Sequence, residues 1–356
     1  MGFGQGRVAG WAARGLARVR RGLAAAAILA AGGIPAMAGG PETVGQQPAP
    51  VFFRIGTGAT GGTYYPVAAT VAHVISAPPG SRPCEAGGPC GVPGLVAAAV
   101  ATAGSVENIA RIEDGRLESA FVQGDVAAWA HAWRWAWQGR AARSLRAIAA
   151  LYPEAVQIVT RAGSGIERLD DLRGRRVSLD MPGSGTLLEA RLILSAAGLD
   201  ASDIQIHHLS LDQAVAALEA DEIDAFFLVA GYPATAVAEL SHRVPLNLVA
   251  LDAALVARIT AADPCFSAAS IPADTYDGQA APVPSLAVRA QWVTSADQPE
   301  ALIHDIAAAL WSPRTLDTLE NGDTRGQRIL LQDALDVTVP LHPGAARFYR
   351  ERGLLH

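Results

Sequence analysis

Hydrophobic positions in this chain fall into short runs separated by glycine- and proline-rich breaks, and the runs alternate between the period of a strand and that of a helix. Val51 to Ile55 reads as a strand, Gly56 to Gly62 as a loop, and Tyr65-Pro66 opens a helix reaching about Ser76, with proline in the tolerated first turn. Leu95 to Thr102 reads as a strand, Ser105 to Asp114 as a helix and Ala120 to Gln123 as another strand. Ser144 to Tyr152 and Ala155 to Arg161 are extended runs broken at Pro153. From Asp170 the alternation is strict: strand Arg176 to Leu179, helix Thr186 to Ala197, strand Ile204 to Leu209, helix Gln213 to Glu219, strand Ala225 to Val229. Strands separated by helices in this way predict βαβ units and a mostly parallel sheet. The chain closes with a strand over Ser285 to Val293 and helical segments from Pro299.

Two α/β units thus lie on either side of Tyr152-Pro153, and the strand near Val283 offers a second crossing between them. Two crossings predict a hinged clamshell, with residues 51–152 and 265–356 as lobe I and 153–264 as lobe II. The preceding segment has another character. Arg7, Arg14, Arg18, Arg20 and Arg21 stand without an acid before the apolar run Gly22 to Ala36, and Ala36-Met37-Ala38 is a small-x-small cleavage site. This three-part layout predicts a signal peptide over residues 1–38, a flexible tether over 39–50 and a periplasmic mature chain, with an uncleaved anchor as the alternative.

Composition narrows the chemistry. All 28 basic residues are arginine, so Schiff-base chemistry and a P-loop lysine are excluded. Loss of five arginines with the leader would take the net charge from −6 to −11, which argues against nucleic-acid binding. Three cysteines are too few for a disulfide scaffold or a cysteine-based zinc site. In an oxidising compartment Cys84 and Cys90 are expected to close a small ring and leave Cys265 free; free thiols throughout, or Cys265 as one partner, are the alternatives.

Gly56, Gly58 and Gly61 satisfy G-x-G-x-x-G between a strand and a helix, but the acid that a dinucleotide fingerprint needs about 20 residues on falls in the loop Pro78 to Pro83. What survives is a set of backbone N–H groups at a helix start, which favours an anion. Pro182 to Thr186, Gly104-Ser105 and Gly231-Tyr232-Pro233 repeat the device. No G-x-S-x-G elbow or metal spacing is found, so neither a catalytic residue nor a metal or cofactor is expected. His207 and His208 should point to opposite faces of a strand, and His73 should be a core histidine. Asp125, ending a strand, is expected either to accept from a ligand amine or to cap a helix. Trp129, Trp133 and Trp137 share one helical face, which reads as core packing or, with Arg134 and Arg140 beside it, as a partner patch.

Taken together the loops resemble the TAXI family, the TRAP-associated extracytoplasmic solute-binding proteins. The resemblance rests on Ile55 to Gly58 through Gly62 to Pro66, on Gly104 to Asn108, Gln123 to Asp125, Asp171 to Val177, Pro182 to Gly185, Ile223 to Phe226, Ile271-Pro272 and Pro340 to Ala345. The first and last are the most specific. It implies a periplasmic-binding-protein type II-like α/β clamshell that captures a small carboxylate or amino acid and delivers it to TRAP membrane subunits; an ABC-transporter or sensor receptor of the same fold is the alternative. Carried over by position, the ligand shell would comprise Thr57, Tyr64, Tyr65, Ser105, Asn108, Gln123, Asp125, Ser184, Thr186, Tyr232 and Pro233. Departures include Gly124 where the family often has serine, the insert between Cys84 and Cys90, and Asp180, whose charge would disfavour a carboxylate at that end.

Overall fold

The computed structural model of the chain describes residues 49–132, 134, 141–321 and 329–356. The leader, most of the tether, Trp133, Trp137 and Arg140 lie outside the described residues. Twelve strands are described: β1 (Val51–Gly56), β2 (Ser76–Ala77), β3 (Val92–Pro93), β4 (Leu95–Val100), β5 (Ser119–Gln123), β6 (Leu145–Arg161), β7 (Arg176–Ser178), β8 (Gln205–His207), β9 (Ala225–Ala230), β10 (Leu246–Leu248), β11 (Ser267–Ile271) and β12 (Val283–Ser295). The helices are α1 (Tyr64–Ile75), α2 (Ser105–Glu113), α3 (Gly124–His131), α4 (Gly185–Ala196), α5 (Leu211–Glu219), α6 (Thr235–Ser241), α7 (Ala253–Ala262), α8 (Glu300–Leu310), α9 (Pro313–Asn321) and α10 (Pro343–Glu351).

The main sheet runs β4-β1-β5-β12-β6-β9-β7-β8. Its flanks are parallel, as the βαβ pattern predicts, but β5-β12, β12-β6 and β6-β9 are antiparallel, so the expectation of a mostly parallel sheet holds only away from the centre. The cause is the pair of long strands β6 and β12, of 17 and 13 residues, whose two ends pair with different neighbours. Thus β12 pairs through Ala290–Thr294 with β5, and through Val283–Ala287 with β11.

Pro153 does not break the extended run. It lies inside β6 opposite Arg289, next to a register shift where β6 holds one residue more than β12. Proline is tolerated in a sheet at such a bulge, where its missing N–H leaves no gap in the ladder.

In α1 the residues Val67, Ala68, Val71, Ala72 and Ile75 are buried at helical spacing, and each larger one contributes roughly 1.5–3 kcal/mol. His73 falls on the opposite face and is exposed, so it is not a core histidine. His207 is half-buried and His208 exposed, its Nδ1 2.9 Å from the carbonyl of Asp180. Trp129 is fully buried, and its Nε1 donates to Asp263 at 2.9 Å. Cys84 and Cys90 are joined in a disulfide, while Cys265 is free and half-buried, its thiol pushed up to about 12 mainly by burial. No described helix is long and apolar enough to cross a membrane.

Candidate functional site

A cleft of about 240 Å³ opens where the loops at the ends of the parallel strands meet. One wall is the loop after β1 with the starts of α1 and α2; the other is the loop after β7, the starts of α4 and α5, and the end of β9. Such a crevice beyond the carboxyl ends of strands is where open α/β sheets bind ligands.

Two helix starts face one another here. Gly104 precedes α2 and approaches Ser184, the N-cap of α4, so closely that a Cβ on Gly104 would lie 3.3 Å from the Ser184 Cα. Ser184 Oγ accepts from the Leu187 N–H at 3.1 Å, satisfying one orphan donor of the helix. Gly185 is required by close approach: a Cβ there would sit 1.4 Å from Oε1 of Gln123, which crosses from the opposite wall. Gln123 is held in turn, its Oε1 accepting from Ser105 Oγ at 3.0 Å and its Nε2 donating to Glu189 on α4 at 2.6 Å.

Further hydrogen bonds span the cleft. The Glu107 N–H donates to the Gly183 carbonyl at 3.0 Å, the Gly231 N–H to Thr63 Oγ1 at 3.1 Å and the Ala236 N–H to the Gly61 carbonyl at 2.9 Å. Gly61 therefore serves close packing against Ala236, where a Cβ would be 2.8 Å from the alanine methyl.

The floor is made by Tyr64 and Glu154. The Tyr64 ring packs edge-on against Phe121, which packs against Trp292, and this aromatic row aims the hydroxyl at Glu154, with O–H to Oε2 at 2.6 Å. Glu154 is 1% exposed. Burial, reinforced by Asp125, outweighs the Tyr64 hydrogen bond and pushes its carboxyl well above the usual range. Behind Gln123 lie Asp125 and Glu189, both buried and facing one another. Burial raises Asp125 to about 7 and lifts Glu189 well above its ordinary value. At the other wall Asp180 stands at a positive φ of 72°, and burial raises its carboxyl to about 6.

Of the residues picked out from the sequence, Tyr64, Ser105, Gln123, Ser184 and Thr186 line the cleft together. The remaining ones do not line it. Thr57 is buried with its hydroxyl on the Val100 carbonyl at 2.9 Å, and Asn108 donates to the Thr57 and Phe121 carbonyls at 2.6 and 2.9 Å, so both hold the loop that forms the wall. Asp125 lies one layer back, in the first turn of α3. Tyr65 is half-buried outside the cleft. Tyr232 and Pro233, joined by a cis peptide, are half-buried and exposed, and the N–H groups of their loop go to Thr63 and to the Tyr276 hydroxyl. Thr63, Thr102, Glu154, Ser210 and Asp212 line the cleft and were not singled out. Glu154 had a signal: it is the one acid in the 17-residue run Leu145–Arg161. Among the described residues no group of three or more metal-ligating side chains is placed to hold an ion.

Comparison with known proteins adds to this geometry. A family model described as the NMT1-like family matches residues 55–353. The periplasmic binding protein BugD superposes with a TM-score of 0.51 at 12% identity, over 86% of this chain and 94% of that one. The alkanesulfonate-binding protein SsuA from Xanthomonas axonopodis pv. citri, bound to MOPS, reaches 0.45 at 15% identity over 86% and 95%, and the aliphatic sulphonate binding protein SsuA from Escherichia coli 0.42 at 16% over 86% and 94%. The match to BugD establishes the fold as periplasmic-binding-protein type II-like.

Proposed function

The chain belongs to the NMT1-like family, and from that premise we propose that it is a periplasmic solute receptor, which captures a small organic solute in the cleft and hands it to a membrane transporter without chemically changing it. The observation that carries this reading is the cleft itself: both walls supply polar groups, and hydrogen bonds run from wall to wall. A ligand touching both walls favours the closed arrangement over an open one by the contacts it makes with both at once. On this reading the hinge lies where β6 and β12 run between the two sides, near Pro153 and Arg289, a position supported by the register shift there. On this reading β11 moves with the β9 side, because it pairs with Val283–Ala287 and its Ile271 packs with Phe226 and Leu228; the boundary then falls near Arg289 instead of at residue 265.

Delivery to TRAP membrane subunits rests on the resemblance of the loop motifs. The comparisons support the wider class, a periplasmic binding protein, rather than that association. An amino acid or other carboxylate is the solute implied by the resemblance, with Ser105, Gln123, Ser184 and Thr186 as its polar contacts and Tyr64 as an aromatic wall.

The test is thermal. Purified protein, freed of carried-over ligand by unfolding and refolding, is melted against amino acids, dicarboxylates, keto acids and amines. A ligand at about 1,000 times its dissociation constant adds roughly 4 kcal/mol and raises the midpoint by several degrees. A flat panel with folded protein overturns the receptor reading. Transport by reconstituted membrane partners, driven by ATP or by an ion gradient, separates the ABC from the TRAP system.

A further inference from the structure

Every charged side chain that lines the cleft is a carboxyl. Glu154, Asp180 and Asp212 stand there with no arginine or histidine among the lining residues, in a chain that carries 28 arginines elsewhere. The groups facing Glu154 have the same character from each element packed on it: Tyr64 from α1, Tyr152 on its own strand, Asp125 from α3 and Glu189 from α4. None of these is cationic. Glu154 lines the cleft, and of its two oxygens Oε2 accepts from Tyr64 while no hydrogen bond from a described residue reaches Oε1. A carboxyl 1% exposed, lining a cavity and with a protein donor on one oxygen alone, is completed by something in the cavity that donates to it.

We propose that the cleft recognises its solute through a positively charged nitrogen, an ammonium or guanidinium that donates to Oε1 of Glu154. This deepens the receptor reading above and rests on it. The facing starts of α2 and α4 offer N–H and hydroxyl donors, so a solute carboxylate is accommodated at the mouth but is not what the floor selects. A dicarboxylate or sulfonate without an amine would bring negative charge against three carboxyls and offer Oε1 no donor. A cation reverses both terms, because a charge-assisted hydrogen bond to a desolvated carboxylate is among the stronger polar contacts.

A linkage follows. In the empty cleft burial keeps Glu154 protonated to higher pH than an exposed glutamate. A bound cation favours the ionised form, so binding expels a proton and affinity for an amine rises with pH. For an anionic solute the sign is opposite.

The experiment is titration calorimetry on the ligand-free full chain with 1,4-diaminobutane, 4-aminobutanoate, arginine and succinate, probes that hold size within bounds and vary the charged ends. The expected result is that amine-bearing probes bind at least about tenfold more tightly than succinate, with affinity rising between pH 5 and pH 8 and at least about tenfold lost in Glu154→Gln. Asp180→Asn, at the opposite wall, should weaken the amine probes by a smaller factor and serves as the second variant if Glu154→Gln fails to fold. Succinate binding as tightly as the amines, with affinity falling as pH rises, overturns the inference and leaves the receptor reading standing. Unchanged amine affinity in Glu154→Gln also overturns it. If neither these probes nor the wider thermal panel binds, the receptor reading falls and the inference with it.

Discussion

At the mouth of the cleft the polar groups are backbone N–H groups and hydroxyls on helix starts, whereas at its floor stands a strand carboxyl, Glu154, backed one layer behind by Asp125 and Glu189 on the inward faces of helices. Mouth groups such as Ser105 and Ser184 are neutral and already paired within the protein. They hold the walls whether or not a solute is present, and a solute exchanges one hydrogen bond for another. Floor groups are costly to bury, and Glu154 keeps an oxygen in reserve. The contrast teaches that in one cleft the groups that shape it and the groups that discriminate need not be the same.

The comparison is broken most severely where the two layers touch. Gly185→Ala puts a methyl into the Gln123 side chain and should cost about 3 kcal/mol or more, read as a fall in the denaturant midpoint. Combining it with Gln123→Ala should recover part of that loss, since the clash is with the amide itself. A double variant no more stable than Gly185→Ala alone would show that backbone strain, not the contact, is responsible.

The carboxyl layer behind the floor should declare itself in the pH dependence. Asp125 has a native value raised from 3.8 to about 7, so the folded state holds a proton that the unfolded state releases. Its contribution to stability is fully present below about pH 4 and is lost as pH rises through about 7. Asp125→Asn should flatten this slope and be the more stable form at pH 8. Denaturant midpoints at half-unit intervals from pH 4 to pH 8 measure it, and parallel curves for the two proteins would refute the assignment.

The smallest effects belong to the mouth. Ser184→Ala removes a helix cap worth about 1 kcal/mol and should weaken the solute several-fold, because the same hydroxyl lines the cleft. Tyr65→Phe, one residue from a cleft tyrosine but outside the lining, should leave stability within about 0.5 kcal/mol and affinity unchanged. Isothermal binding of any hit from the thermal panel distinguishes the two.

How far the sequence could be read follows from what kind of information each feature uses. Period and glycine punctuation are local, so β1, α2, α4, α5 and β9 stand close to where the pattern puts them, and so do the loops that wall the cleft. Strand direction at the centre is not local. Nothing in the run around Pro153 says that β12 will return antiparallel beside it, or that a bulge will absorb the proline. The same limit divides the site residues. Ser105, Ser184 and Thr186 sit at helix starts that turn signals reveal, but Thr57 and Asn108 spend their polar groups on backbone carbonyls of neighbouring segments, a use visible only once those segments are adjacent. The floor was the least legible part. Glu154 follows a proline that reads as a boundary, and Glu189 is one polar position in an apolar helix; that they share one dry region with Asp125 depends on three elements meeting.

The pair of long central strands has a mechanical consequence. Both β6 and β12 run through the two sides of the molecule and are hydrogen-bonded to each other along much of their length. With the hinge proposed above, rocking one side against the other would twist a double ribbon instead of swinging on slack loops. A ribbon of this kind would act as a torsion spring, with restoring torque at every angle, and would yield first at the two register shifts, Arg289/Gln291 and Trp292/Val293, where its ladder is interrupted.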